Sequence, residues 1–372
     1  PAATAKGIVV MNTPFGNSIT TAEHAIALMF AAARQVPEAN ASTQAGKWEK
    51  NRFMGRELYA KTLGLIGCGN IGAIVADRAI GLKMKVVAYD PFLSPDRAVA
   101  IGVEKVELDE LLTRADVISL HVPLTDKTRN VLSAENLAKT KRGVIIVNAA
   151  RGGLVDEAAL LEALKSEHVA AAAFDVFTVE PAKENVLFGA PNFVATPHLG
   201  ASTNEAQENV ALQVAEQMSD YLLTGAVTNA LNMPSITAEE APRLKPFAAL
   251  AEKLGAFAGQ IVDEGLEEVA IEYEGDVTKL NMKPLTAAAL AGVLRPLLQD
   301  VNVVSAPALM KERGATLTES TRETSPTYDS LIRLKVKTGG GWRTLAGAVI
   351  AGQPRIVEVK GMALEAPFQP NT

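Results

Sequence analysis

KTLGLIGCGNIG, residues 61–72, restricts the fold more than any other part of the chain, because a short apolar run breaks there into three glycines, Gly67, Gly69 and Gly72. A buried parallel strand that hands over to a helix facing a phosphate needs this pattern. Gly67 permits the tight turn, Gly69 removes a Cβ that would block a pyrophosphate, and Gly72 lets the helix pack closely on the strand. First-turn N–H groups and the helix dipole then favour an anion. A second apolar run, KVVAYD, ends in Asp90, 18 residues beyond Gly72. That is close to the ~20 expected for the carboxylate that accepts adenosine ribose hydroxyls. Asp90 repels a 2′-phosphate, and Pro91-Phe92 supplies no arginine to receive one. The cofactor expected is NAD rather than NADP.

At 372 residues the chain exceeds one ordinary core, so two or three domains are expected. Hydrophobic residues at 48% and charged residues at 21% fit a globular protein, and no apolar run approaches the length of a membrane span. A net charge of −6 with no Lys/Arg block argues against a nucleic-acid or membrane surface. The single cysteine, Cys68, excludes an internal disulfide and fits a reducing, cytoplasmic setting; within the glycine loop it reads as a packing residue. No metal is expected.

In chain order, GIVVMN (7–12) reads as a buried strand, and an alanine-rich helix follows over 21–34, with His24 as a packed residue on it. The polar stretch 46–54 carries Trp48 and Phe53 among charges, either as a subunit anchor or as a local lid. From residue 61 onward, apolar runs at 63–66, 86–89, 117–122, 144–147, 169–174 and 193–195 alternate with helical patterns such as 71–82 and 156–166. This spacing predicts an α/β fold with a doubly wound parallel (Rossmann) sheet, whose ligands gather at the carboxyl ends of the strands. The third end carries His121, read as structural. The next three carry Arg151, then Asp175 with Glu180, then His198. His168 reads as surface.

Oxidising a hydroxyl with NAD requires a base for its proton and a group that fixes the substrate. His198 is the natural base, Glu180 can orient one ring nitrogen and stabilise the protonated ring, and Arg151 offers a planar fork for a carboxylate. The competing reading makes Arg151 and Glu180 a surface ion pair and His198 a helix cap.

GCGNIG, HVPLTDKT, NAARGGLVDE, FDVFTVEP and TPHLGAST together resemble the D-isomer-specific 2-hydroxyacid dehydrogenase family, in a long bacterial form. The resemblance runs from the first residues to about residue 234. It implies that Arg151 binds substrate carboxylate, His198 is the acid/base and Glu180 its partner. It places Thr4, Gly67, Gly69, Asn70, Ile71, Gly72, Asp90, Val122, Pro123, Thr128, Ala149, Ala150, Asp175, Gly200 and Ala201 at the cofactor. The implied reaction oxidises a phosphorylated 2-hydroxy acid, 3-phosphoglycerate, to 3-phosphohydroxypyruvate, toward serine. A homo-oligomer, dimer or tetramer, is also implied.

The same resemblance divides the chain into a remnant of a substrate lobe (1–16), the NAD-binding domain (17–200), a return helix and linker (201–234) and an intervening regulatory α+β domain (235–372). Arg313, Lys335 and Lys337 in the last are candidates for an anion, against the plainer reading of a solvated strand face. Most of the substrate lobe, which carries phosphate-binding residues, is expected to be absent, as is a C-terminal amino-acid-sensing domain. Two other readings use the same residues. One is a sibling dehydrogenase of the glyoxylate or hydroxypyruvate reductase type, against which the extra domain argues. The other is an NAD-sensing module of the corepressor type, whose tail would be disordered where 235–372 reads as folded.

Overall fold

The computed structural model describes residues 1–262 and 265–368, and the chain divides into two compact units, Pro14–Ala211 and Pro1–Thr13 with Leu212–Thr372. One division falls between Thr13 and Pro14, near the expected junction at 16, and the other within the long helix Asn204–Thr224, beyond the expected one at 200.

In Pro14–Ala211 the strands are β1 (Thr62–Ile66), β2 (Lys85–Tyr89), β3 (Glu104–Lys105), β4 (Val117–Leu120), β5 (Val144–Asn148), β6 (Val169–Phe174) and β7 (Phe193–Ala195). They form one sheet in the order β3-β2-β1-β4-β5-β6-β7, with every pairing parallel. β4 and β5 are buried at every position, as a sheet covered on both faces requires. Two apolar clusters cover the faces. One joins the alanines of Ser18–Arg34 to the helix Asn70–Gly81, and the other is built on Leu111, Leu120, Leu160 and Phe174. The strand order reverses between β1 and β4, which opens a crevice at their carboxyl ends.

The predicted strand over 7–12 does not form. Ile8 is exposed, and the segment makes only an isolated bridge from Met11 to Ala230. Its apolar run lacks a continuous neighbouring strand.

The other unit contains β8 (Leu266–Gly275), β9 (Thr316–Arg322), β10 (Ser330–Thr338), β11 (Gly341–Ile350), β12 (Gln353–Val359) and β13 (Met362–Pro367). The order is β13-β12-β11-β10-β8-β9, antiparallel except for the β8–β9 pair. Helices Ala241–Gln260 and Lys283–Leu294 supply its core with Leu250, Leu254, Leu290 and Val293 against Ile271, Leu334 and Leu345. These two helices approach through glycine. A Cβ on Gly255 would lie 2.2 Å from the Ala289 carbonyl oxygen, and one on Gly292 2.2 Å from that of Glu252.

Candidate active site

The turn after β1 has the geometry its glycines predict. Gly67 has φ +94°, and a Cβ there would strike the His121 carbonyl at 2.6 Å, so the turn packs directly on the end of β4. A Cβ on Gly72 would lie 2.3 Å from the Gly67 oxygen, which fixes helix Asn70–Gly81 against the turn. At Gly69 a Cβ would meet nothing within 4 Å. That open space lies at a helix N-terminus with no side-chain cap, where Asn70 and Ile71 begin the first turn. Asp90 at the end of β2 accepts N–H bonds from Cys68 (2.9 Å) and Phe92 (2.8 Å). A carboxylate has about four lone-pair sites, so it retains capacity for two ribose hydroxyls. These residues fit a dinucleotide with an unphosphorylated ribose. Burial, then the Asp90 charge, pushes the Cys68 thiol up to about 11, in keeping with a packing role.

The remaining cofactor candidates separate by position. Val122 packs beneath the glycine turn. Thr128 donates to the Pro123 carbonyl (2.6 Å) and so closes the 123–128 turn. Ala149 is buried, and the Ala150 N–H donates to Asn148 Oδ1 (3.1 Å). Gly200 donates to Asp175, while Ala201 lies exposed in the following turn. Thr4 belongs to the other unit, where its hydroxyl accepts from Asn232 (3.2 Å). His121 lies beside the Ser119 hydroxyl (2.9 Å), and burial pulls its pKa down to about 4, consistent with a neutral structural ring. His168, read as surface, is instead tied to the Leu137 carbonyl (2.9 Å) and the Thr140 hydroxyl (3.0 Å).

Past the ends of β6 and β7, two of the expected catalytic side chains meet, while Arg151 stands in the loop after β5. His198 Nδ1 lies 2.7 Å from Glu180 Oε2, and the other Glu180 oxygen accepts the Phe177 N–H at 2.9 Å. Burial alone would raise the Glu180 carboxyl. The Phe177 N–H and the His198 ring outweigh it and hold the group below the usual glutamate range. An ionised Glu180 accepts only, so Nδ1 carries the proton and the Nε2 of the neutral ring keeps its lone pair. A cavity of about 540 Å³ lies beside the pair, lined by Phe177, Pro181, Phe188 and Thr196 among others.

Arg151 is exposed, donates to the Ala150 carbonyl (2.6 Å) and, among the described residues, pairs with no carboxylate. The surface ion pair with Glu180 therefore does not form. The next residue, Gly152, rests on the Phe177 carbonyl so closely that a Cβ would lie 1.8 Å from its oxygen. This contact ties the arginine's loop to the turn that holds Glu180.

Asp175 is fully buried and organises the 196–200 loop. Oδ1 accepts from the Thr196 hydroxyl (2.6 Å) and the Leu199 N–H (2.7 Å), and Oδ2 from the Gly200 N–H (2.8 Å). Its carbonyl accepts the His198 N–H at 2.9 Å. His24, expected only to pack, reaches this carboxylate with Nε2 3.2 Å from Oδ1. Sequence reading missed it. The available signal was Thr21, one turn earlier, whose hydroxyl donates to the Gly200 carbonyl (2.8 Å), so two polar residues share one stripe of an alanine-rich helix.

The anion candidates in the other unit do not converge. Lys335 pairs with Glu272 (2.5 Å) and Lys337 with Glu267 (3.2 Å), whereas Arg313 lines a cavity with Leu294, Leu298 and Met310.

Two family models match the chain. "D-isomer specific 2-hydroxyacid dehydrogenase, NAD binding domain" matches residues 26–200, and "D-3-phosphoglycerate dehydrogenase intervening domain" matches residues 243–360. The D-3-phosphoglycerate dehydrogenase of Bacillus subtilis is 43% identical over 366 residues, covering 98% of this chain and 70% of the relative. That of Archaeoglobus fulgidus is 46% identical over 360 residues, covering 96% and 68%. Among solved structures, a glyoxylate reductase from Paecilomyes thermophila aligns with TM-score 0.58 at 37% identity, covering 62% of this chain and 70% of that one. A D-lactate dehydrogenase from Aquifex aeolicus, complexed with NAD and lactic acid, aligns with TM-score 0.56 at 28% identity, covering 63% and 76%.

Proposed function

The chain belongs to the D-isomer specific 2-hydroxyacid dehydrogenase family, and from that premise we propose that it oxidises 3-phosphoglycerate to 3-phosphohydroxypyruvate, the first step of serine biosynthesis, with NAD as cofactor. The substrate assignment rests on the curated D-3-phosphoglycerate dehydrogenases, which match nearly the whole chain, and on the intervening domain shared with them. The chemistry rests on one observation, the 2.7 Å contact of His198 Nδ1 with Glu180.

NAD, when bound, supplies the hydride acceptor. The glycine turn and the first turn of helix Asn70–Gly81 receive the pyrophosphate, and Asp90 receives the adenosine ribose. His198 Nε2 takes the proton of the substrate hydroxyl. Glu180 holds the ring in the required tautomer and balances the charge it acquires. Arg151 fixes the substrate carboxylate and offers positive charge to the oxygen on the reacting carbon. In the reverse direction the protonated His198 returns the proton. Assembly is as a homo-oligomer, with the largely exposed Trp48 as a subunit contact.

The test is NADH oxidation with 3-phosphohydroxypyruvate, hydroxypyruvate and 2-oxoglutarate in parallel. The phosphorylated substrate should give the highest kcat/KM, and His198→Ala should lower turnover by about 10²–10⁴. A preference for an unphosphorylated acid would transfer the chain to a sibling activity. Turnover untouched by the substitution would remove His198 from the chemistry.

A further inference from the structure

We propose that His24 is a positioning residue for His198, acting through the buried Asp175 carboxylate; this rests on the role assigned to His198 above. His198 has a backbone φ of +56°, in the left-handed region that residues other than glycine adopt uncommonly. Its surroundings are specific. The His198 N–H donates to the Asp175 carbonyl, and the next two N–H groups donate to the Asp175 carboxylate. The left-handed turn that aims the imidazole at Glu180 is thus bonded to one aspartate.

Asp175 is in turn fixed from below. Its side chain is completely shielded from solvent, and His24 Nε2 lies 3.2 Å from Oδ1 and 3.2 Å from Thr196 Oγ1. The Thr196 hydroxyl has a single proton, which the 2.6 Å contact commits to Asp175. Thr196 Oγ1 and Asp175 Oδ1 therefore both face His24 as acceptors, so Nε2 of His24 carries a proton shared between them. Burial alone would raise the Asp175 carboxyl. The bonds from His24, Thr196 and Leu199 outweigh it and keep the group below the ordinary aspartate range. Helix Ser18–Arg34 adds a second clamp one turn earlier, from Thr21 to the Gly200 carbonyl. One helix face therefore holds both the carboxylate that shapes the catalytic turn and the residue that closes it. Neither His24 nor Thr21 lines the cavity beside His198 and Glu180.

A purely space-filling His24 predicts that bulk alone matters, whereas a positioning His24 predicts that the donor matters. Glutamine presents an amide N–H near the position of Nε2, and leucine fills similar volume without a donor. The chain has four histidines, so ring N–H resonances can be assigned by substitution. The downfield Nδ1–H resonance of His198, identified by its loss in His198→Asn, reports the bond to Glu180 without requiring turnover. We expect it to persist in the parent chain and in His24→Gln, and to broaden or vanish in His24→Leu. In parallel, kcat should fall about tenfold or more in His24→Leu with little change in KM, and recover in His24→Gln. An intact resonance with unchanged kcat in a folded His24→Leu would overturn the proposal, as would a folded His24→Gln as impaired as the leucine variant. Should the parent chain not reduce 3-phosphohydroxypyruvate, the substrate assignment fails, while the resonance still decides the role of His24.

Discussion

Asp175 and Asp90 are both strand-end aspartates, yet their surroundings give them different tasks. Asp90 is exposed enough to meet a ligand while bracing the glycine turn through Cys68. Asp175 is buried and orders the 196–200 loop. Its carboxyl is held below its ordinary value, so the stabilisation it contributes is full above an unfolded pKa of about 3.9 and is lost as pH falls through the lower folded value. Melting temperatures measured from about pH 5 to pH 2 should therefore show an acid-side loss that Asp175→Asn flattens, from a lower starting stability. An unchanged acid limb in that variant would mean that Asp175 is not ionised in the fold. At this scale the strand-end positions of Asp90, Arg151, Glu180 and His198 were legible in the sequence, and the His198–Glu180 contact among them is present. The sequence was uninformative for His24, because the contact with Asp175 spans 151 residues of chain and requires the helix to lie under the sheet.

Among elements, the contact between the loops after β5 and β6 carries the arrangement of Arg151. Gly152 cannot gain a methyl group without moving the Phe177 carbonyl, and the adjacent turn holds Glu180. Gly152→Ala should destabilise the protein by about 1–3 kcal/mol by overpacking and raise KM for the hydroxy acid. NAD affinity should change little, because the glycine turn lies elsewhere on the sheet edge. Denaturant melts and substrate titration read both effects, and a variant with parental KM would separate Arg151 from this contact. The six apolar runs were legible because strands covered on both faces are continuously hydrophobic, and the observed bounds differ from the expected ones by at most two residues. The two-residue β3 is too short to leave such a pattern. The 7–12 run left a pattern without a strand, since pairing depends on a neighbour that local sequence does not specify.

For the whole molecule, two units with separate cores imply two unfolding events, of which only the one belonging to Pro14–Ala211 should respond to cofactor. At a hundredfold excess over Kd, NAD should add about 2.7 kcal/mol to that unit. Calorimetry should show one transition moving up by several degrees, and Asp90→Arg should abolish the shift. Equal movement of both transitions would contradict the division of labour. The fold class and family were legible because the fingerprint and the strand-end motifs are local in sequence. The α+β character of the remaining unit was legible only in outline, and its candidate cations Lys335 and Lys337 proved to be compensated by glutamates on the neighbouring strand β8. His198, oriented by Glu180, is proposed to move the proton in reduction of a phosphorylated 2-oxo acid. The most direct test is the NADH-linked rate with 3-phosphohydroxypyruvate for the parent chain and for His198→Ala. The rate should fall by about 10²–10⁴ in the variant while NADH binding persists; equal rates in the two proteins would mean that His198 does not move the proton.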